Sequence, residues 1–171
     1  MSCGSMRKAA AGLPHSKSLL RNNMRDLVGC KLAEAKAASK RKDGMIYQKS
    51  SKHSPQEVEQ GLREAVQRHK FGILHVLDLK NTLHDKGIEL DNEVRIYDVC
   101  NPLAASEALH QNMATATVLP CRIAVYSNSG GSTIATVKPT DLFAATGLRH
   151  ANTLAQDVER ELIAIIDEAA A

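Results

Sequence analysis

The chain has 171 residues, of which 43% are apolar, 3% aromatic and 24% charged, with a formal net charge of +3. That length suits one domain plus an extension, with a core built from Leu, Ile, Val and Ala rather than from rings. So few aromatics argue against a binder of single-stranded nucleic acid, which stacks bases on them, and no apolar run reaches the roughly 18 residues of a membrane span.

The charge is unevenly spread. Residues 1–44 carry ten Lys or Arg against three Asp or Glu, whereas residues 45–171 carry twelve against sixteen. The basic character therefore belongs to an N-terminal extension, and the acidic remainder lacks the positive footprint of a duplex binder. The extension is Ala-rich and ends in Ser39-Lys40-Arg41-Lys42-Asp43-Gly44, with Leu20, Met24, Leu27 and Val28 at helical spacing. A solvated tail, disordered or loosely helical, is the plainest reading. A segment for nucleic acid or an anionic membrane, an organellar transit peptide, and a true start at Met45 are the alternatives. No apolar signal-peptide core is present, and the four cysteines, Cys3, Cys30, Cys100 and Cys121, form no C-x-x-C pair. A reducing, cytoplasmic setting is the default expectation.

From Met45 the pattern becomes orderly. Met45–Ser50 reads as a short strand. Ser54-Pro55-Gln56-Glu57 is a capping box with Pro at the first helical position, followed by Val58, Leu62, Ala65 and Val66 on one face. Arg68, His69 and Lys70 close that helix, where positive charge complements its dipole. Phe71–Leu77 is a near-continuous apolar run that predicts a buried strand. Asp78 caps a short helix that Gly87 stops.

Glu93–Cys100 alternates as a strand, and Asn101-Pro102 opens the next helix with Leu103, Ala104 and Leu109 as apolar positions. Thr117–Tyr126 reads as a strand bent at Pro120. Ser127–Gly131 is a hairpin turn, and Ser132–Val137 is the returning strand. Pro139-Thr140-Asp141 begins a helix that ends at Gly147. Leu154, Val158, Leu162, Ile165 and Ala169 recur at helical steps to the C-terminus. The predicted architecture is α+β: a mainly antiparallel sheet of about five strands with helices on one face, over residues 45–171.

Two segments carry the chemistry, Val99-Cys100-Asn101-Pro102 and Leu119-Pro120-Cys121-Arg122. Cys100 precedes a helix N-terminus, a place where a thiol pKa can fall from about 8.5 to roughly 3.5–7.5. Cys121 shares strand parity with Ile123 and Val125, so it faces the core, and Arg122 points the other way. A disulfide between the two cysteines would close a loop of about 20 residues, worth roughly 3 kcal/mol in the chain-entropy model. Packing alone also accounts for both, because free Cys is among the most buried residue types.

Candidate ligand-binding residues are Cys100, Asn101, Cys121, Arg122 and His75, with Cys100 and Cys121 as candidate ligands of a soft metal. His84 and His110 are further nitrogen donors, but no H-x-x-x-H or C-x-x-C spacing supports a preformed zinc site. Lys80 and Arg95 could hold an anion. Gly130-Gly131 sits in a hairpin, away from the strand-to-helix setting of a phosphate loop, and there is no G-x-S-x-G elbow.

These residues resemble a known family. Phe71-Gly72-Ile73-Leu74-His75-Val76-Leu77-Asp78-Leu79-Lys80, Leu83, Lys86-Gly87, Tyr97-Asp98-Val99-Cys100-Asn101-Pro102, Ala105, Ala108-Leu109 and Val118-Leu119-Pro120-Cys121-Arg122-Ile123-Ala124-Val125-Tyr126 are similar to the domain of unknown function 302. The resemblance implies a compact α+β fold related to the TATA-binding-protein-like class, often dimeric, with its two cysteine motifs at Cys100 and Cys121. It implies no activity, and residues 1–44 have no counterpart in it. Kinship to a DNA-binding fold implies no DNA binding.

Three functions are compatible with the chain. The first is a module that binds a small molecule or a soft metal around Cys100, Asn101 and Cys121. The second is a structural domain, a homodimer with both cysteines as core filler. The third is a thiol enzyme or redox switch that uses Cys100. They part on whether the two sulfurs meet in one accessible pocket. No particular cofactor is indicated.

Overall fold

A computed structural model describes residues 44–148 and 152–171. Leu20, Met24, Leu27 and Val28, with the rest of residues 1–43, lie outside the described residues. The elements run β1 (Ile46–Ser51), α1 (Pro55–Arg68), β2 (Gly72–Asp78), α2 (Leu79–His84), β3 (Val94–Cys100), α3 (Pro102–Gln111), a 3-10 turn (Met113–Val118), β4 (Cys121–Asn128), β5 (Gly131–Val137), α4 (Pro139–Ala145) and α5 (Asn152–Ala170). The strands form one antiparallel sheet in the order β1-β5-β4-β3-β2. This is the predicted α+β class.

Local chemistry sets the element ends. The Ser54 hydroxyl accepts from the Glu57 amide while the Glu57 carboxylate accepts from the Ser54 amide, closing the capping box of α1. The Asp78 carboxylate accepts from Asn81 N–H at the start of α2. Asn128 and Gly131 pair across the hairpin between β4 and β5. Gly131 has φ of 140°, and a Cβ there would lie 2.3 Å from the Ser51 carbonyl oxygen, so only glycine fits.

Strand alternation sends Tyr97 and Val99, Ile123 and Val125, and Ile134 to one face. There they pack on Val58, Leu62, Ala65 and Val66 of α1 and on Leu162, Ile165, Ile166 and Ala169 of α5. Polar ties reinforce the helix layer. His69 at the end of α1 meets Glu161 at 2.7 Å and Glu168 at 2.9 Å on α5, and the Tyr47 hydroxyl donates to Asp167 at 2.7 Å. Among these core groups the Tyr97 hydroxyl is buried beside Glu59 and Arg95 without a well-formed hydrogen bond.

The other face of the sheet stays open. A row of Leu77, Ile96, Ala124 and Ala135 crosses four strands in register there, and exposed Gln48 continues it on β1.

Three expectations are corrected. Phe71–Leu77 is not a buried strand: β2 is a sheet edge, and an irregularity between Ile73 and His75 leaves Leu74 unpaired and 65% exposed. Thr117–Tyr126 is not one bent strand, because the turn Met113–Val118 precedes Pro120 and β4 begins at Cys121. Leu103 is not an inward position of α3 but points to solvent.

Candidate functional site

Cys100 is the last residue of β3, Asn101 caps α3, and Cys121 is the first residue of β4. Val99 lies opposite Cys121 in the sheet, so Cys100 is one step from it along β3. The chain turns at Asn101, and the end of the sheet, α3, α4 and α5 together enclose an apolar cleft. Its inner chamber has a volume of about 30 Å³ and is lined by Cys100, Asn101 and Cys121, by Ala104, Ala105 and Ala108 of α3, and by Phe71, Phe143 and Val158 among others. The alanines explain the space: three small side chains on the inward side of α3 leave a gap that larger residues would close. An outer chamber of about 300 Å³ shares Leu119, Cys121, Pro139 and Phe143 with it and reaches Arg122 and Val137.

The two thiols are unpaired and half-buried. Burial pushes the Cys100 thiol up from its ordinary range. Burial pushes Cys121 further, to about 11, and negative charge on Cys100 adds to the rise. The expectation of a lowered Cys100 pKa is therefore overturned. Its physical reason lies in the cap, where the Asn101 side-chain oxygen accepts from the Leu103 and Ala104 amides. The donors that would stabilise a thiolate are already occupied, so desolvation decides the direction.

The remaining sequence candidates separate. Arg122 stands on the open sheet face at the mouth of the outer chamber, with its Nε 3.2 Å from Asp98. His75 stands on the same face, 63% exposed in its side chain and 3.8 Å from Asp98, away from the thiols. His110 bonds the Ser106 carbonyl of its own helix, and His84 is exposed beside Asp85 and Glu89. Arg95 and Lys80 do not form an anion site. Arg95 is held by Glu59 and Asp78, and Lys80 donates to the Asp91 carbonyl. Among the described residues no three His, Cys, Asp or Glu side chains cluster to hold a metal ion.

Sequence reasoning missed Pro139, Phe143 and α5 as walls of the cleft. Their contribution depends on how the chain returns over the sheet end, and the one local signal was the Ala104, Ala105, Ala108 spacing on a single helix face.

Fold and cleft together define a five-stranded α+β domain with a paired-thiol pocket at the sheet end. The chain belongs to the family described as Domain of unknown function DUF302, whose model matches residues 47–169. It is similar to the crystal structure of an uncharacterized conserved DUF302 protein from Bacillus stearothermophilus, with 28% identity and a TM-score of 0.71 over 74% of this chain and 99% of that one. No curated protein matches.

Proposed function

We propose that the domain from Met45 onward is a small-molecule binding module whose ligand enters the apolar cleft beside Cys100, Asn101 and Cys121. The observation that carries this reading is the convergence of the two cysteine motifs, from separate strands, on one apolar chamber. Neutral thiols favour an apolar ligand over nucleophilic thiol chemistry, which needs thiolate: at neutral pH a thiol with a pKa near 11 keeps its proton. A reducing, cytoplasmic setting suits two unpaired thiols.

The test is methyl NMR of the full chain under xenon, an apolar atom small enough to probe the chamber. Shifts confined to Ala104, Ala105, Ala108 and Val158 are expected. Saturating probe that moves none of those methyls would end the reading.

A second reading concerns the open sheet face. The row Leu77, Ile96, Ala124 and Ala135 is apolar and only partly buried, and Leu74 and Ile46 are exposed at its two edges. This supports a homodimer that joins sheet to sheet, because exposed apolar patches of this kind mark association surfaces. Sedimentation equilibrium should show a dimer that Ala124→Lys converts to monomer. A monomer at all concentrations for the unaltered chain refutes it. Either way, no helix among the described residues is long and apolar enough to cross a membrane.

A further inference from the structure

The two chambers differ in character, and the difference points to a class of ligand. The inner one has room for about two water-sized groups. The outer one is ten times larger and mostly apolar, with Val118, Leu119, Pro120, Leu142 and Phe143 in its wall. Among the described residues Arg122 is the only charged one that lines either of them. It is 72% exposed and gives only its Nε to Asp98, and its two terminal amino groups have no partner among the described residues. Those groups form the fork that matches a carboxylate. Asp98 neutralises part of the guanidinium charge and holds it at the rim, which suits a single negative charge. A cationic head would meet Arg122, and no acidic side chain in the walls would offset that repulsion.

We infer that the outer chamber takes an amphiphilic monoanion, with a carboxylate-type head on Arg122 and an apolar tail along Leu119, Pro139, Leu142 and Phe143. The inference rests on the reading of the cleft as a ligand site. The outer chamber's volume of about 300 Å³ corresponds to a tail of up to about ten carbons when each carbon occupies roughly the volume of one water.

The experiment is calorimetric titration of the full chain with octanoate, octanol and acetate, all below micelle-forming concentrations. Octanoate should bind at least about tenfold more tightly than either of the others. Arg122→Gln should weaken octanoate about tenfold and leave octanol within about twofold. Leu142→Asn, which makes the wall of the outer chamber polar, should weaken both eight-carbon probes while the melting temperature shows the fold intact.

Octanol binding as tightly as octanoate, or octanoate unaffected by Arg122→Gln, overturns the monoanion assignment and leaves the cleft reading standing. Absence of binding by both eight-carbon probes overturns this inference, and the xenon experiment then decides the cleft reading separately. Flotation with phosphatidylglycerol vesicles that is lost in Arg122→Gln, without octanoate binding, assigns the arginine to a membrane surface and overturns the soluble ligand.

Discussion

The protonation of Cys121 is the firmest handle on the site. Its pKa of about 11 stands against an ordinary value of 9.0, a difference of two powers of ten in thiolate at any pH below 9. The sign follows from linkage. The folded state holds the proton more tightly, so its stability is complete below the unfolded pKa and declines as pH rises toward the folded one. At pH 10.5 the unfolded chain has released that proton and the folded chain has largely kept it, which costs about 2 kcal/mol. The variant Cys121→Val removes the titration and keeps the volume close.

Urea unfolding of both proteins at pH 7.5 and pH 10.5 isolates the effect, because the other lysines and tyrosines titrate in both. The unaltered chain should lose about 2 kcal/mol more than Cys121→Val over that interval. Alkylation by iodoacetamide in a Cys100→Ala background supplies an independent reading through its pH midpoint, since restricted access scales the rate equally at every pH. That midpoint should lie above 10 in the native state and near 8.5 in guanidinium. A native midpoint at or below 8.5, or equal pH losses for the two proteins, refutes the argument that burial governs this thiol. Removing Cys100 also removes its charge, so the native midpoint should fall slightly in that background but stay well above the denatured one.

Three further outcomes are expected. Gly131→Ala should destabilise by more than about 3 kcal/mol in chemical unfolding, because the new Cβ strikes the Ser51 and Lys52 backbone and the residue keeps a positive φ; a loss under 1 kcal/mol would show that the hairpin relaxes freely. Asn101→Ala should cost about 1 kcal/mol through the freed Leu103 and Ala104 amides and should lower the Cys100 alkylation midpoint, since those donors become available to the sulfur; an unchanged midpoint removes the cap from the account of that thiol.

The third outcome concerns His69. Its hydrogen bonds to Glu161 and Glu168 raise its pKa, so its contribution is complete below about 6.5 and fades as pH rises through the folded value. Relative to His69→Gln, the unaltered chain should lose no more than about 1 kcal/mol between pH 6 and 9, a modest figure because the carboxylates are partly exposed and screened. A gap between the two proteins that stays constant across that range would assign His69 to packing alone.

Much of the fold was legible because its signals are local. The capping box at Ser54, the caps at Asp78 and Asn101, and the hairpin residues each act within a few positions of themselves. The periodicity of Val58–Val66 and Leu154–Ala169 states which helix face is buried. β2 was misread because an apolar run looks the same in a central strand and at an edge, and strand order is a property of the whole sheet. The irregularity at Leu74 had no sequence marker at all.

At the site, the parity argument for Cys121 held, with Arg122 on the opposite side. The pKa of Cys100 was misjudged because helix polarity can be read from sequence, whereas competition between the thiol and the Asn101 oxygen for the same amides depends on geometry. His75 was grouped with the thiols as a candidate nitrogen ligand, and the register of β2 places it on the open face beside Asp98.

The placement of α5 bears on how this polypeptide is made. Leu162, Ile165, Ile166 and Ala169 complete a core whose other walls come from residues made far earlier, and Asp167 and Glu168 reach back to Tyr47 and His69. While α5 remains inside the ribosome, the inner face of the sheet has no lid, and the nascent chain presents it to whatever chaperone waits at the exit. Folding of this domain therefore waits until α5 has emerged, and synthesis that stalls before α5 would yield a sticky fragment rather than a shortened working protein.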